Sequence, residues 1–187
     1  MIDIDRLVVV TGGPGSGKTT LLDALEKRGV TVMPEAGRAV IREEMARGGI
    51  ALPWADRGRF AERMLDHDLA SYRHAAEQAR PVLFDRGIPD IAGYLDLCDL
   101  PHPDRLTEAN SQNRYRRQVL IAPPWREIFT NDAERRQDFD EARRTYEVMR
   151  RVYGDLGYEL IELPLSGLSA RIDFVFRHFP SLFAETG

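Results

Sequence analysis

The stretch Leu7-Val8-Val9-Val10-Thr11-Gly12-Gly13-Pro14-Gly15-Ser16-Gly17-Lys18-Thr19-Thr20 decides the fold of this chain. Gly12, Gly17, Lys18 and Thr19 occupy the fixed positions of the pattern G-x-x-x-x-G-K-[ST]. A largely β-branched apolar run precedes the glycines, and a run of helical character follows them at 21–25. A strand, a glycine-rich loop and a helix in this order form the context that a phosphate-binding loop requires.

Glycine-rich loops of this kind hold phosphates with their backbone. Glycines permit backbone angles and close approaches that a Cβ would block, so successive N–H groups can point at phosphate oxygens beside the positive end of the next helix. Lys18 is predicted to reach the β- and γ-phosphates as a catalytic residue, and the Thr19 hydroxyl is predicted to bind Mg²⁺. The residues predicted to bind the nucleotide are Gly12, Gly13, Pro14, Gly15, Ser16, Gly17, Lys18, Thr19 and Thr20.

Lysine usage supports this interpretation over an ordinary glycine-rich turn. Only two of the 26 basic residues are lysines, Lys18 and Lys27, and the rest are arginines. A chain that otherwise uses arginine has a lysine at a position where phosphate chemistry needs a compact ammonium group on a flexible stem.

Length and composition indicate one globular domain over 1–187, because 187 residues can bury a full core and contents of 43% hydrophobic and 30% charged residues are ordinary. A net charge of −4 gives no field that favours nucleic acid, and no apolar run is long enough to cross a bilayer, so neither partner is expected. The acidic start Met1-Ile2-Asp3-Ile4-Asp5 lacks the basic segment of a secretory signal, which favours a cytoplasmic location. The lone Cys98, in an apolar stretch, is expected to be a small core residue.

Short apolar runs alternate with longer periodic ones, which is typical of an α/β fold with a parallel sheet. The predicted strands are 7–10, 30–33, 82–84, 119–122 and 158–163. Helices are predicted at about 18–28, about 36–47 and about 168–179. A long helix is predicted from near Pro53, with an apolar stripe that extends to Ala79. Another is predicted where apolar residues recur at alternating spacings of three and four from Phe139 to Leu156, and Asn131 and Glu134 would cap its start. The weakly periodic segment 100–117 is interpreted as a loop and an irregular helix, either beside a substrate pocket or facing solvent.

Charged residues follow the third predicted strand at the edge of the sheet where ligands bind. Asp85 comes directly after 82–84 in the Walker B arrangement, so we predict that it holds Mg²⁺ together with Thr19. Arg86 comes next, where hydrolytic motor ATPases usually place a glutamate. Arginine does not take a proton from water at neutral pH but binds phosphate through two donors, which favours a catalytic role in phosphoryl transfer. An ordinary turn after a strand is the alternative.

Glu35 follows the strand predicted at 30–33 and is the candidate catalytic base. A carboxylate at the end of a neighbouring strand can accept the proton of a substrate hydroxyl that attacks the γ-phosphate. The alternative is a carboxylate that stabilises a helix N-terminus through the helix dipole, and the two roles are compatible.

Arginines that follow the fourth predicted strand suggest a lid at about 123–137. Arg126 and Arg135 are predicted as catalytic residues and Arg136 as a nucleotide-binding residue, because phosphoryl transfer needs positive charge that a closing lid can supply. A solvated helix face is the alternative. The residues that could line an acceptor pocket, or equally pack as an ordinary helix, are Trp54, Arg57, Arg59, Phe60 and Arg63.

Two further segments resemble P-loop kinases of the nucleoside and nucleotide kinase type. Pro34-Glu35-Ala36-Gly37-Arg38 resembles the carboxylate-bearing turn of thymidylate and deoxyribonucleoside kinases. Asp85-Arg86-Gly87-Ile88-Pro89-Asp90, with Tyr94 after it, resembles the Asp-Arg-aromatic segment of thymidylate kinase, with Gly87 in place of the aromatic residue. This departure leaves the acceptor undefined.

Over nearly its full length the chain is similar to small bacterial proteins known as AAA family ATPases, which are themselves similar to the ribosylnicotinamide kinase domain of NAD-biosynthesis regulators. The segments that carry this resemblance are Ala122-Pro123-Pro124-Trp125-Arg126, Glu134-Arg135-Arg136 and Tyr158-Glu159-Leu160. The resemblance implies a three-layer P-loop NTPase fold, with helices on both faces of a parallel five-stranded sheet of order 2-3-1-4-5.

These features predict an ATP- and Mg²⁺-dependent phosphotransferase for a small phosphate acceptor, with a nucleoside or nucleotide as the class that the resemblance suggests. ATP is favoured over GTP because the guanine signature Asn-Lys-x-Asp is absent, and adenine is expected between the lid and 164–170. A slow ATPase or nucleotide-gated switch that acts with a protein partner is the main alternative, and a nucleotide-binding module without turnover is another. Self-association into a homodimer is left open.

Overall fold

The computed structural model describes residues 3–129 and 139–183, and its centre is a five-stranded parallel sheet. The strands are β1 (Leu7–Gly12), β2 (Thr31–Met33), β3 (Val82–Asp85), β4 (Gln118–Ala122) and β5 (Glu159–Glu162). They are arranged in the order β2-β3-β1-β4-β5, and every neighbouring pair is parallel. Each predicted strand and the sheet order implied by the resemblance are therefore confirmed.

Seven α-helices accompany the sheet in the described ranges: α1 (Lys18–Glu26), α2 (Ala36–Arg47), α3 (Arg57–Ala76), α4 (Ile88–Leu97), α5 (Asp104–Gln112), α6 (Phe139–Asp155) and α7 (Leu168–His178). Short 3-10 turns occupy Ile4–Arg6, Arg126–Ile128 and Pro180–Phe183. Among these residues, no helix is long and apolar enough to span a membrane. The capping pair predicted at Asn131 and Glu134 lies outside the described residues.

Strand side chains alternate between two cores, one on each face of the sheet. Val9 and Phe84 point into a large core formed with α2 to α6, and Val8 and Leu83 point into a second core formed with α1 and α7. Both faces of the sheet are covered, so the three central strands β3, β1 and β4 are largely apolar on both sides, whereas the edge strand β5 has an exposed glutamate at each end. The predicted three-layer arrangement is thus confirmed.

Two local predictions need correction, and one helix was missed. Helix α3 begins at Arg57 and not near Pro53, because the Asp56 side chain accepts a hydrogen bond from the Arg59 N–H at 3.0 Å and caps the helix there. Helix α4 was not predicted, since it is buried on most of its circumference and shows no polar face. Cys98, expected in the core, is partly exposed and borders a cavity.

The segment 100–117 is more regular than predicted. Pro103 precedes a regular helix, α5, whose buried face consists of Leu106, Ala109 and Asn110. A buried face of only three residues, one of them polar, explains why the periodicity was weak. Leu106 and Ala109 join the large core, and no residue of 100–117 lines either of the two cavities described below.

Candidate functional site

The loop between β1 and α1 lies at the carboxyl edge of the central strand. Gly12 and Gly17 have φ angles of 132° and 78°, in the region that favours glycine. A Cβ at Gly12 would also collide with the backbone carbonyl of Ala122 on β4. The glycines of the motif are therefore required by the backbone path and by close packing against the neighbouring strand.

Lys18 begins α1 and lies buried against the loop. Its Nζ donates to the carbonyl oxygens of Gly12 and Gly13 at 3.0 and 2.8 Å. Burial, together with the positive charge of Arg86, lowers the pKa of Lys18 to about 7, and the nearby carboxylates of Asp85 and Glu35 oppose this change only in part. Negative charge added beside Lys18 would therefore favour its protonated form.

Ser16, Thr19 and Thr20 complete the loop and the first turn of α1. The Ser16 hydroxyl is buried and donates to the Gly13 carbonyl at 2.8 Å, so it stabilises the loop. Thr19 and Thr20 are exposed, and Thr19 lines a 620 Å³ cavity that we call the α1–α2 cavity. Asp85 lines the same cavity, so the two predicted Mg²⁺ ligands face a common space.

The oxygens available at this point fit Mg²⁺. Asp85 Oδ1 is buried and has no hydrogen-bond partner among the described residues, and burial raises the pKa of Asp85. An unused carboxylate oxygen and a threonine hydroxyl are hard oxygen donors, and Mg²⁺ in nucleotide sites takes its remaining ligands from phosphates and water. The described residues contain no cluster of three or more metal-binding side chains, which such a phosphate-supported ion does not need.

Glu35 follows β2 and lies between two cavities. It lines the α1–α2 cavity and also a 530 Å³ cavity between α3, α4 and α6, here called the α3–α4 cavity. Its carboxylate pairs with Arg86 Nε at 3.4 Å and with Arg38 Nε at 3.2 Å. Its side chain makes no capping hydrogen bond to α2, and both carboxylate oxygens are directed at arginines.

Arg86 is held on both sides by carboxylates. Besides Glu35, its guanidinium binds Asp90 Oδ1 at 2.9 Å. Its backbone has a φ of 70°, which is unusual for a residue other than glycine, and its N–H donates to the Val10 carbonyl at 3.0 Å. With this backbone conformation the Arg86 side chain lines the α3–α4 cavity, which Pro14 of the phosphate loop also lines.

Asp90 is a buried centre of hydrogen bonds that sequence reasoning missed. Its carboxylate accepts from the Thr11 hydroxyl at 2.6 Å, the Tyr153 hydroxyl at 2.6 Å and the Gly87 N–H at 3.1 Å, in addition to Arg86. It thereby joins β1, α4 and α6 behind the phosphate loop. An acidic residue at the third position of a helix is the signal that could have indicated part of this role.

The α3–α4 cavity contains three of the residues predicted to line an acceptor pocket, namely Trp54, Arg57 and Phe60. Arg59 and Arg63 do not line it and form ion pairs at the surface instead, with Asp56 and Glu43 respectively. Other residues that line this cavity are Pro14, Glu35, Met64, Asp68, Arg86, Ile91, Tyr94 and Met149.

Asp68 is a second residue that sequence reasoning missed. It is only 7% exposed, lines the α3–α4 cavity, and has no hydrogen bond or ion pair to any described residue. Burial, followed by repulsion from Asp90 and Glu35, raises the pKa of Asp68 well above its ordinary value. The available signal was its position four residues from both Met64 and Tyr72, which places an acidic side chain on the apolar face of the helix.

The segment after β4 packs onto the phosphate loop. The Phe129 ring contacts Gly15, and the Ile128 side chain contacts Gly17. Arg126 is exposed, and its guanidinium lies 4.2 Å from the centre of the Phe139 ring. Arg135 and Arg136 lie outside the described residues, so the described part of the predicted lid region is 123–129.

Arg171 on α7 is a third residue that the sequence did not reveal. Its buried guanidinium donates to the Ser16 carbonyl at 2.7 Å and to the Pro164 carbonyl at 2.9 Å. It also lies 4.8 Å from the centre of the Trp125 ring. Arg171 therefore connects the phosphate loop to the segment that follows β5.

Comparisons with known proteins agree with this arrangement. A profile of the family described as AAA domain, AAA_28, matches residues 7–171. The chain belongs to this family. No functionally curated protein matches this AAA domain.

Solved structures share the fold of the AAA domain. A deoxyadenosine kinase from M. mycoides with bound dATP gives a TM-score of 0.55 at 13% identity, over 93% of this chain and 99% of that kinase. NadR protein in complex with NR gives a TM-score of 0.69 at 19% identity, over 97% of this chain and 51% of NadR. NadR in complex with NAD and AMP-PNP gives 0.64 at 16% identity, over 98% of this chain and 51% of NadR. The AAA domain thus spans about half of NadR, and the likeness establishes the P-loop NTPase fold.

Proposed function

We propose that this AAA domain is an ATP- and Mg²⁺-dependent phosphotransferase acting on a small hydroxyl-bearing acceptor of the nucleoside or nucleotide class. The observation that carries the proposal is the position of Glu35. It borders the α1–α2 cavity, which contains Thr19 and Asp85, and also the α3–α4 cavity, which Pro14 of the phosphate loop helps to line. A carboxylate in this position can act on an acceptor in one cavity while a phosphate is held beside the other.

The residues divide the chemistry among them. Gly12 to Thr20 would hold the triphosphate through backbone N–H groups, and Lys18 would neutralise its β- and γ-phosphates. When bound between Thr19 and Asp85, Mg²⁺ would supply positive charge to the phosphate oxygens. Glu35 would accept the proton of the acceptor hydroxyl. The hydroxyl oxygen would then bond to the γ-phosphorus while the bond from that phosphorus to ADP breaks.

Positive charge around the transferred group completes the proposal. Arg86, which is held by Glu35 and Asp90 and lines the α3–α4 cavity, would contribute positive charge to the transferring phosphate. We assign Arg126 and Arg135 to the same task and Arg136 to the nucleotide, as parts of a lid at about 123–137 in a single domain over 1–187. A cytoplasmic location would supply the ATP, and a homodimer is a further proposal that sedimentation would test.

A screen of acceptors tests this function. The protein is incubated with Mg²⁺ and ATP, and ADP formation is measured with nucleosides, nucleoside monophosphates and vitamin-like alcohols, with the Lys18→Ala variant as the inactive control. We expect one class of acceptor to increase ADP formation and to yield a product heavier by one phosphate. ADP formation that ignores every acceptor would favour an ATPase, and nucleotide binding without ADP would favour a switch.

A further inference from the structure

One wall of the α3–α4 cavity carries a buried carboxyl group that pairs with no described residue. Asp68 lies at 7% exposure and makes no hydrogen bond or ion pair within 3–129 and 139–183. Its carboxyl oxygens are open to the cavity, and a side chain that is buried but pairs with no described residue needs an explanation. Because Asp68 faces a cavity, a ligand is the partner that can satisfy it.

The surroundings of Asp68 describe the shape of that ligand. Phe60 and Tyr94 form an edge-to-face pair with ring centres 5.4 Å apart, and Met64, Ile91 and Met149 add apolar surface to the same cavity. A space of 530 Å³ lies within the range of ligand sites, and its lining combines this apolar surface with charged side chains such as Glu35, Arg57 and Arg86. These walls suit a flat ring, and Asp68 is a polar group within them.

The protonation of Asp68 defines the hydrogen bonds that it can form. Burial, followed by the carboxylates of Asp90 and Glu35, raises the pKa of Asp68 well above its ordinary value, and Arg86 opposes this shift, so the surroundings favour the protonated form. A protonated carboxyl group offers one O–H donor beside one carbonyl acceptor. This pair matches a ring nitrogen next to an exocyclic amino group.

We propose that Asp68 is the specificity-determining residue of the acceptor site, and that it forms paired hydrogen bonds with the amino-substituted edge of an uncharged heterocyclic ring. This inference rests on the proposed function, since it names the acceptor class of the same site. The acceptor is then a molecule with an amino-heterocycle that pairs with Asp68 and a hydroxyl group that reaches Glu35, since both side chains line the α3–α4 cavity. Amino-substituted nucleosides have this form.

The test compares two substitutions with matched ligands. Binding of adenosine, cytidine and their analogues without the amino group, purine riboside and pyrimidin-2-one riboside, is measured by calorimetry in the absence of ATP. We expect an amino nucleoside to bind the wild-type protein at least about tenfold more tightly than its analogue, because the analogue leaves a buried group unpaired. Asp68→Asn should keep this affinity within about threefold, since an amide also offers a donor beside an acceptor.

Asp68→Leu should bind the amino nucleoside at least about tenfold more weakly than the wild type does, and should no longer distinguish it from its analogue. In turnover assays, the same variant should raise KM and leave kcat at saturating acceptor near the wild-type value. Equal affinity of Asp68→Leu and the wild type for the amino nucleosides would overturn this inference. So would a wild-type protein that binds neither adenosine nor cytidine. Tight binding without phosphate transfer would overturn the proposed function and leave the inference standing.

Discussion

Glu35 and Arg86 form an ion pair across the carboxyl ends of two neighbouring strands, with 3.4 Å between Glu35 Oε1 and Arg86 Nε. Arg86 also binds Asp90, which is fixed by Thr11 and Tyr153, so the chain of contacts extends from the candidate base into the core. A base held in this way has few alternative positions. Such preorganisation is what proton transfer to a positioned carboxylate requires.

Replacement of the candidate base should abolish chemistry and preserve nucleotide binding. Glu35→Gln keeps the size of the side chain but removes its ability to accept a proton, so we expect turnover with the best acceptor to fall by at least about 100-fold. The dissociation constant for ATP should change by less than about threefold. Glu43→Gln, which alters an exposed glutamate of α2, is the matched control. Full turnover in Glu35→Gln would remove Glu35 from the mechanism.

Nucleotide binding should take up a proton through Lys18. The pKa of Lys18 is lowered to about 7, so at pH 8 most of this group is neutral in the free protein, and the charges of a triphosphate would favour its protonation. Calorimetry in buffers of different ionisation enthalpy should give an uptake of nearly one proton at about pH 8 and little at about pH 6. Lys18→Met should show weaker binding and no such difference. Equal uptake in both proteins would contradict this assignment.

Asp90 should be important for stability, because four donors depend on it. Asp90→Ala leaves buried donors and the Arg86 guanidinium without their acceptor, so we expect the free energy of unfolding to fall by about 3 kcal/mol. Asp96→Ala on the same helix removes a hydrogen bond to His102 and a surface ion pair to Arg151 and should cost less than about 1 kcal/mol. Urea unfolding of the two variants measures both values, and equal losses would be inconsistent with the Asp90 network.

The raised pKa of Asp68 predicts a specific dependence of stability on pH. The folded state holds the proton of Asp68 at pH values where the unfolded chain, with a pKa near 3.9, has lost it. The unfolded state then binds fewer protons, so this group lowers the free energy of unfolding as pH rises above about 4. Asp68→Asn should therefore stabilise the protein more at pH 8 than at pH 4. Parallel stability curves for the two proteins would contradict the shift.

The fold was predictable because its signals are local. The phosphate loop is defined by residues adjacent in sequence, from Gly12 to Thr19, and the buried strands of a parallel sheet are short apolar runs wherever they occur. The helix after Gly87 was missed for the same reason that it is stable, since burial on most sides removes the polar face that reveals a helix.

The site was predictable only where a motif or a strand end marked it. Lys18, Glu35 and Asp85 follow from their positions relative to strands, but the links of Asp90 to Thr11 and of Arg171 to Ser16 join residues 79 and 155 positions apart. Those pairings depend on tertiary packing, which no local pattern contains. The division of the acceptor-pocket candidates between cavity and surface, with Phe60 inside and Arg63 outside, likewise depends on how helix α3 packs against its neighbours.

The most direct test follows the γ-phosphate itself. The protein is incubated with Mg²⁺, ATP labelled with ³²P in the γ-position and amino nucleosides, and the products are separated by chromatography, with Lys18→Ala and Glu35→Gln in parallel. The account predicts label in a phosphorylated nucleoside with the wild-type protein and in neither variant. Label that stays in ATP, or that is released only as inorganic phosphate whichever acceptor is present, would contradict it.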